Sequence, residues 1–387
     1  MVRLLFITDF TESFAYALLR GIIRYSNQSD EQWVVCRMPP AYKKTLGIKG
    51  VIKWAKKWGA DAVIGQFEAS DPVELFRRNG IVAFAQDYKA KFDAIPNITG
   101  DYLETGRMAA NLYLHKGFHH FAFFGYKDVC WSDERCEGFR RRIEEAGFGD
   151  QFYVYDKQMI DNLWYYEADE LKNWLLSLPK PVAVMACDDN QGNALIEACN
   201  SAGVKIPSEL SVIGVDNDEV ICTLSNPTLS SIMVDIEQGG YETARMAVRM
   251  IQDPFYKGSD ITLLPRRIVH RVSTSAYATT DKEVLTALQF IRQNLCKKIT
   301  VSDVLEQVPL SRRLLEVRFK NVIGESIYQY ISKQRIGRFS ELLLETNYSI
   351  QELAYQLGED DPKSICRRFK DLKGVTPSEW RNQKNAN

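Results

Sequence analysis

Four polar residues directly follow the apolar run VIGV, namely Asp216, Asn217, Asp218 and Glu219. An apolar run of this length is typical of a short buried strand. Side chains at the carboxyl end of a parallel strand face the crevice in which open α/β sheets bind their ligands. Asp188 and Asp189 follow the apolar run PVAVMAC in the same way. The two acidic groups therefore predict a polar site that is built from strand ends.

Paired carboxylates also raise the question of catalysis. A glycosidase needs carboxyl groups on both sides of the scissile bond, and adjacent residues such as Asp188 and Asp189 seldom take up that arrangement. The sequence has no GxSxG or HExxH motif and no Gly-rich phosphate loop after a strand. His119 and His120 are adjacent on a predicted strand and point to opposite faces, which disfavours a shared metal. We expect no catalytic residue, no metal and no cofactor. A glycosidase or sugar isomerase with a helical appendage remains the alternative from another class of protein.

The composition is that of an ordinary soluble protein, with 387 residues of which 45% are hydrophobic and 26% charged. No apolar run approaches the ~18 residues that a membrane helix needs, and the start MVRLLFITDF predicts a strand instead of a signal peptide. The eight cysteines form no CxxC pair, so we expect reduced thiols in a cytoplasmic protein. Residues 281–387 contain 18 Lys and Arg against 14 Asp and Glu, a net charge of +4, whereas the remainder carries −5. A basic tail suggests a nucleic-acid partner.

The chain has two parts with different patterns. Up to about residue 272, short apolar runs alternate with amphipathic stretches, which predicts parallel sheets covered by helices. The expected strands are RLLFIT, WVVCR, DAVIG, GIVAFA, HFAFFG, FYVY, PVAVMA and LSVIGV, and the expected helices are 13–25, 47–58, 103–115, 134–146, 169–178 and 190–202. This number of units predicts two α/β lobes in residues 1–272. The small polar stretch 273–281 predicts a linker, and residues 282–387 predict an all-α domain.

A capped helix, a turn and a second basic helix occur twice in the tail, at 300–323 and at 349–372. Thr300 with Asp303, and Ser349 with Glu352, have the spacing of capping boxes. Each second helix has an apolar stripe and a basic side, as in DNA-reading helix-turn-helix units. The repetition favours this interpretation over an ordinary solvated helix face. The residues expected to contact phosphates and base edges are Arg312, Arg313, Glu316, Val317, Lys320, Lys363, Ser364, Arg367 and Arg368.

From about residue 282 onward the sequence resembles the paired helix-turn-helix domain of AraC-type transcription regulators. The matching segments are SRRLLEVRFKNVIGESIYQYISKQRI, ELLLETNYSIQELAYQLG and RRFKDLKGVTPSEWR. The resemblance implies that residues 327–344 form a helix linking two units, which lie in neighbouring major grooves about one turn apart. Glu359 stands where the family usually has an aromatic residue, so we expect the second unit to lack one core contact. Phe339 stands where the family more often has Ala.

Residues 1–272 resemble the sugar-sensing core of LacI-type repressors, a two-lobed fold similar to that of periplasmic binding proteins. The segments that carry this resemblance are GDYLETGRMAANLYLHKGFHHFAFFG, WSDERCEGFRRRIEEAGF, AVMACDDN and GVKIPSELSVIGVDND. The resemblance implies a cleft in which carboxylates and a guanidinium fork pair with vicinal hydroxyls while aromatic faces cover the sugar ring. The implied contacts are Asp101, Trp131, Arg135, Trp164, Asp188, Asp216 and Asn217.

A LacI-like sensor followed by an AraC-like DNA reader is the arrangement of xylose-operon regulators, a family that the whole chain resembles. The resemblance implies D-xylose as effector, double-stranded promoter DNA as target, a homodimer, a contact with RNA polymerase and activation of transcription. Sugar is expected to close the lobes and to change how the dimer holds its tails on DNA. Two alternatives share this architecture: a sensor for another sugar or a nucleoside, and a sensor that has lost its ligand. The second is suggested by Cys187, which stands where such sensors often have Asn.

Overall fold

The computed structural model describes residues 1–8, 13–29, 31–157, 168–279 and 281–385. The chain divides into two compact units, one of residues 1–114 and 118–276 and the other of residues 115–117 and 277–387. The first unit is a two-lobed α/β structure and the second is helical, which confirms the predicted fold class. Within the described residues, no helix has the length and apolar character that crossing a membrane requires.

The first lobe of the α/β unit is built on a six-stranded parallel sheet. Its strands, in spatial order, are β11 (Ile261–Leu263), β5 (Asn97–Gly100), β4 (Val82–Gln86), β3 (Ala62–Gln66), β1 (Val2–Ile7) and β2 (Trp33–Met38). The helices that cover this sheet are α1 (Ser13–Gln28), α2 (Pro40–Trp58), α3 (Glu74–Arg78) and α9 (Ile236–Gln252). Apolar side chains of β1 and β3 pack with those of α2 and α3 in one core cluster.

The second lobe has a six-stranded sheet in which only β12 runs antiparallel to its neighbour. Its strands, in spatial order, are β12 (Pro265–Val269), β10 (Ser230–Val234), β9 (Leu210–Val215), β8 (Val182–Ala186), β6 (Phe121–Tyr126) and β7 (Phe152–Lys157). The helices of this lobe are α4 (Tyr102–His115), α5 (Cys130–Glu145), α6 (Ala168–Ser177), α7 (Asp189–Ala202) and α8 (Glu219–Leu224). The chain passes from one sheet to the other after β5, after β10 and after β11. The carboxyl ends of both sheets therefore contribute loops to a single crevice.

All eight strands expected from apolar runs are present, whereas β5, β10, β11 and β12 were not predicted. These four are short or begin with polar residues, so their apolar signal is weak. The 17-residue helix α9 was also missed because it contains Gly239 and Gly240. Both glycines have a packing reason: a Cβ on Gly240 would lie 2.0 Å from the carbonyl oxygen of Leu18 in α1, and one on Gly239 would lie 2.0 Å from the Leu263 side chain.

The helical unit has seven α-helices in its described residues. They are α10 (Lys282–Gln293), α11 (Val301–Leu305), α12 (Arg312–Ile323), α13 (Ile327–Glu345), α14 (Ile350–Gln356), α15 (Pro362–Lys373) and α16 (Pro377–Asn385). The capping boxes predicted at Thr300 and Ser349 are confirmed. The pairs α11–α12 and α14–α15 are the two helix-turn-helix units, and the implied linking helix is α13.

Two separate apolar cores support the two helix-turn-helix units. The first half of α13 places Ile327, Tyr330 and Ile331 in the first core. The second half places Ile336, Phe339 and Leu343 in the second core. Because one continuous helix belongs to both cores, it couples the orientations of the two units.

Glu359, where we expected a missing core contact, holds a nearly buried ion-pair triad (the Glu359 triad: Arg335, Glu359 and Arg368). Its Oε1 accepts from Arg335 Nη1 at 3.2 Å and its Oε2 from Arg368 Nη2 at 2.5 Å. The three side chains are 9%, 10% and 20% exposed, respectively. Arg335 also donates to the backbone carbonyl of Lys297, 2.6 Å away, at the entrance to the first unit. The second helix-turn-helix unit therefore has ion pairs at the position where related domains usually have an aromatic side chain. Through Arg335, the triad also forms a polar connection between the two helix-turn-helix units.

We predict that Glu359→Ala lowers the free energy of unfolding of the second helix-turn-helix unit by about 3–5 kcal/mol, because it leaves two arginines without their buried counter-charge. Hydrogen exchange of the α14 and α15 amides in the full chain measures this change.

The neighbouring Asp360→Ala is the matched control for the Glu359 substitution. Asp360 pairs with Lys298, but these side chains are 73% and 66% exposed. An exposed pair of this kind contributes at most about 1 kcal/mol. Equal losses of protection in the two variants would show that the Glu359 triad is not a stabilising element.

Candidate ligand cleft and nucleic-acid interface

A cleft of about 690 Å³, partly open to solvent, lies at the carboxyl ends of the strands of both lobes. The first lobe and the chain that leaves it contribute Ser13, Phe14, Gln66, Gln86, Asp87, Tyr88, Ile98 and Tyr102. The second lobe contributes Trp131, Arg135, Asp188, Asp189, Asn190, Val215, Asp216 and Asp218. Carboxylates, amides, aromatic rings and one guanidinium thus surround a single volume.

Arg135 is the buried cation of the cleft, with only 4% of the residue exposed. Its Nη2 donates to Asp216 Oδ1 at 3.1 Å, and its Nη1 donates to the carbonyl oxygen of Cys187 at 2.5 Å. The ring centroids of Tyr102 and Trp131 each lie 5.3 Å from the guanidinium carbon. Burial acts to lower the pKa of Arg135, but the charge of Asp216 and of other neighbours raises it above its ordinary value. The group is therefore a permanent, oriented donor.

Close contact between α4 and α5 positions Arg135. A Cβ on Gly106 in α4 would lie 2.1 Å from the carbonyl oxygen of Arg135, and a Cβ on Gly138 in α5 would lie 2.1 Å from that of Leu103. Only glycine allows the two backbones to approach this closely. The contact holds the turn of α5 that bears Arg135 beside Tyr102, the first residue of α4.

The loop after β9 has an unusual backbone. Asp216 and Asn217 are consecutive non-glycine residues with φ values of +94° and +54°. Such conformations are uncommon outside glycine and cost free energy, so they persist where surrounding contacts enforce them. The amide of Asp216 donates to the carbonyl of Ile232 at 2.9 Å, and the amide of Asn217 donates to Ser231 Oγ at 3.0 Å. Strand β10 therefore holds the loop in the conformation that turns Asp216 toward Arg135.

Asp188 and Asp189 have different tasks at the start of α7. Asp188 is the N-cap, since its Oδ1 accepts from the amide of Gln191 at 2.7 Å, and it lines the cleft as well. Asp189 is 3% exposed, and its Oδ2 accepts from the amide of Asp218 at 2.7 Å. Burial raises the pKa of Asp189 well above its ordinary value, which favours the protonated carboxyl. Asp189 thus braces the loop after β9.

Asp87, at the end of β4, is the most unusual carboxylate of the cleft. It is 4% exposed, and neither carboxylate oxygen has a hydrogen bond of ordinary geometry. Burial raises its pKa to about 6, although Thr99 and Lys91 act in the opposite direction. A buried acceptor without a partner costs free energy. A ligand hydroxyl that donated to Asp87 would remove that cost.

Four of the seven expected ligand contacts line the cleft together: Trp131, Arg135, Asp188 and Asp216. Asp101 and Asn217 do not line it. Asp101 Oδ1 accepts from the amide of Glu104 at 3.1 Å, at the start of α4, and Asn217 Oδ1 accepts from Arg271 at 3.0 Å. Trp164 lies outside the described residues.

Sequence reasoning missed the contribution of the first lobe to the cleft. Gln66 ends β3, Gln86 ends β4, and Asp87 and Tyr88 follow. The sequence did contain a signal for these residues, because polar residues after the runs AVIG and VAFA obey the same strand-end rule that identified Asp216.

Within the described part of the chain, no cluster of His, Cys, Asp and Glu has the composition and proximity of a metal site.

The helices α12 and α15 present corresponding outer faces, with equivalent residues 50 positions apart. Six of the nine expected DNA contacts are exposed: Arg312, Arg313, Val317, Lys320, Lys363 and Arg367. Ser364 is half-buried at the edge of this face. Leu314, which is 46% exposed, lies one helical turn before Val317 on the same face and was not predicted. Leu314 is three residues before Val317, and this helical spacing could have placed it on the same face from the sequence.

Two expected DNA contacts, Glu316 and Arg368, are engaged within the helical unit. Glu316 Oε2 accepts from the amide of Ile327 at 3.3 Å, and Arg368 belongs to the Glu359 triad. The equivalent of Arg368 in α12 is Arg318, which pairs with Asp281 at 2.5 Å and with Glu283 at 2.8 Å. The helices α12 and α15 thus each use the arginine at this position for ion pairs within the helical unit.

Comparison with known proteins agrees with both halves of this description. Residues 110–274 match the periplasmic binding protein-like domain family, and residues 304–383 match a helix-turn-helix domain family. The xylose operon regulatory protein of Haemophilus influenzae is 31% identical over 329 residues, which cover 83% of this chain and 84% of that protein. The protein of the same name from Escherichia coli K12 is 26% identical over 393 residues, which cover 98% of this chain and 96% of that protein. A solved structure of a xylose-binding transcription activator superposes with a TM-score of 0.58 at 26% identity, covering 98% of this chain and 97% of that one.

The raised pKa of Asp87 yields a prediction about pH. Because the folded state holds this proton more tightly than the unfolded state, the stabilisation is fully present below the ordinary value of 3.8 and is lost as the pH rises through about 6. We expect Asp87→Asn to raise the free energy of unfolding of the α/β unit by about 1–3 kcal/mol at pH 7.5 and by little at pH 4.

Thermal unfolding of the ligand-free protein at the two pH values measures the Asp87 effect. Asp150→Asn is the control, because Asp150 is an exposed carboxylate. If both substitutions changed the unfolding midpoint equally at pH 7.5, burial of Asp87 would not be the cause.

Proposed function

This chain belongs to the family of xylose operon regulatory proteins, and we propose that its cleft binds D-xylose and that its helical unit binds promoter DNA as part of a homodimer. The chain is a sugar-responsive transcription regulator with helix-turn-helix units. Its relatives are regulators, and we propose no enzymatic reaction for the cleft.

The observation that carries the sugar proposal is the ion pair of the buried Arg135 with Asp216, together with Asp87, which lines the cleft from the first lobe. A cyclic sugar offers vicinal hydroxyls, which donate to carboxylates and accept from a guanidinium. The proposed contacts are Arg135, Asp188 and Asp216 from the second lobe, with Asp87 from the first. Trp131, beside Arg135, supplies an aromatic face for the apolar side of the ring. Contacts from both lobes to one ligand favour the closed arrangement of the cleft.

The outer faces of α12 and α15 support the DNA proposal. Arg313, Lys320, Lys363 and Arg367 are exposed donors that suit phosphates and guanine edges, and Val317 suits a thymine methyl group. In this proposal each helix enters one major groove, and the grooves are adjacent on one side of the duplex.

Regulation in this proposal follows from linkage between the two ligands. If sugar favours one shape of the dimer and DNA favours the same shape, each ligand strengthens the binding of the other by an equal factor. Activation through a contact with RNA polymerase belongs to the same proposal. Its support is the similarity to a family of operon regulators and to a solved activator.

A thermal-shift panel with D-xylose, L-arabinose, D-glucose, D-ribose and a nucleoside tests the effector. We expect D-xylose alone to raise the unfolding midpoint. At one hundred times its dissociation constant, the ligand adds ~2.7 kcal/mol to the free energy of unfolding. Asp216→Asn is expected to abolish the shift, because Ser231 and Ile232 still hold the loop while the carboxylate is lost.

Asp101→Asn is the matched control for the sugar panel, since Asp101 lies outside the cleft and Asn also serves as a helix cap. Its xylose shift is expected to equal that of the wild type. A shift with a different sugar would retain the sensor and replace the effector, whereas no shift with any compound would refute the sugar proposal.

Fluorescence anisotropy tests the DNA proposal, using a duplex selected by the wild-type protein from a random library. We expect Arg313→Ala and Arg367→Ala each to cost about 1–3 kcal/mol of binding free energy. Lys363→Ala is expected to weaken binding to all sequences and to reduce the slope of log K against log salt by about 1 if it contacts a phosphate.

Arg338→Ala is the control for the DNA variants, because Arg338 lies on the linking helix α13 and pairs with Glu341 at 2.7 Å. Its affinity for the selected duplex is expected to match that of the wild type. If Arg338→Ala weakened binding as much as Arg367→Ala, the outer faces of α12 and α15 would not be the reading surfaces.

A further inference from the structure

Arg271 lies near the end of the α/β unit and reaches back to the loop that carries the cleft residue Asp216. Its Nη2 donates to Asn217 Oδ1 at 3.0 Å. We propose that this Asn217–Arg271 hydrogen bond transmits the state of the cleft to the chain segment that leads into the helical unit. The inference rests on the proposed function, since it concerns how sugar binding alters DNA binding.

One end of this connection is directly attached to the cleft. Asn217 follows Asp216, whose carboxylate pairs with Arg135. Both residues have left-handed backbone conformations, so the loop lies outside the broad energy minimum in which most residues are found. A ligand hydroxyl that competes for Asp216 Oδ1 changes the contact that ties the side chain of this loop to Arg135. The backbone of Asn217 is the first element to respond.

The other end is attached to the exit segment, residues 271–276. The second guanidinium nitrogen of Arg271 donates to the carbonyl oxygen of Leu229 at 2.9 Å. Its backbone amide donates to Ser230 Oγ at 2.7 Å. The Arg271 side chain therefore bridges the loop after β9 and the start of β10, and its backbone begins the exit segment.

Buried hydroxyl groups anchor the rest of the exit segment, which includes the first residues of the predicted linker (273–281). Ser273 and Thr274 belong to the short 3-10 helix Val272–Thr274 and are 0% and 1% exposed. Ser273 Oγ donates to the carbonyl of Val212 in β9 at 2.7 Å, and its amide donates to the carbonyl of Thr228 at 3.0 Å. Thr274 Oγ1 lies 2.7 Å from Ser230 Oγ. A small displacement at Arg271 therefore acts on a segment held firmly to β9 and β10, a few residues before the helical unit begins at Tyr277.

Asn217 thus has a role that differs from the one expected from sequence. It is half-buried beside the cleft without lining it, and its side-chain oxygen is committed to Arg271. We assign Asn217 and Arg271 as positioning residues: they contact neither proposed ligand and act on the coupling between them.

The test measures the coupling factor, which is the ratio of DNA dissociation constants without and with saturating D-xylose. The variants are Asn217→Gly and Arg271→Ala in the full chain. Gly tolerates the left-handed backbone at position 217, so this variant removes the acceptor without straining the loop. We expect each variant to bind D-xylose within about threefold of wild type and to keep its DNA affinity in the absence of sugar, while the coupling factor falls toward 1.

Arg266→Ala is the matched control, because Arg266 lies on β12 near the exit segment and pairs with Asp235 instead of with the loop after β9. Its coupling factor is expected to equal that of the wild type. A wild-type coupling factor in both Asn217→Gly and Arg271→Ala would overturn the inference and leave the proposed function intact. Loss of D-xylose binding in Asn217→Gly would also overturn it, by making Asn217 a ligand contact. A factor of 1 in the wild type would refute the proposed regulation itself, and this inference with it.

Discussion

The cleft depends on one buried charge, the guanidinium of Arg135. A cation removed from water is stable only when it is paired and hydrogen-bonded. Asp216 and the carbonyl of Cys187 supply the bonds, and Tyr102 and Trp131 cover the guanidinium. These partners impose further constraints, namely glycines at the α4–α5 contact and a left-handed backbone after β9. The polar groups that surround the cavity are thus arranged before any ligand enters, which reduces the cost of ordering them on binding.

The helices α12 and α15 each carry both ion-paired and exposed basic residues, which differ in their position around the helix. Arg318 and Arg368 occupy equivalent places in α12 and α15; Arg318 pairs with Asp281 and Glu283 at the start of α10, and Arg368 pairs with Glu359. Other basic residues of the same helices, namely Arg313, Lys320, Lys363 and Arg367, stay exposed. Glu359 has a special place in this scheme, because it pairs with Arg368 and also with Arg335 of α13. It thereby links the second recognition helix to the helix that both cores share.

Hydrogen bonds connect the cleft of the α/β unit to its exit segment. Asp189 binds the amide of Asp218, Ser231 binds that of Asn217, and Arg271 binds the side chain of Asn217. Hydrogen bonds depend on distance and angle, so a small displacement makes or breaks them. The energy of an apolar contact changes more gradually with displacement. A loop held in this way, with backbone strain at two successive residues, is suited to have two discrete arrangements.

The sequence by itself determined the fold class, the duplicated helix-turn-helix units and the strand-end rule that located Asp188 and Asp216. Apolar runs and capping residues act locally, and their effect can be read from neighbours in the chain. Tertiary structure alone decided which polar residues share the cleft. Asp87 and Arg135 come from different lobes, and the folded backbone directs Asp101 and Asn217 to partners outside the cleft. Helical spacing placed Arg367 on the outer face of α15 and Arg368 at its flank, but that spacing did not reveal the ion pair of Arg368 with Glu359 in the turn before α15. The physical reason is that burial and ion pairing depend on distances between residues that are remote in sequence, and no local pattern encodes those distances.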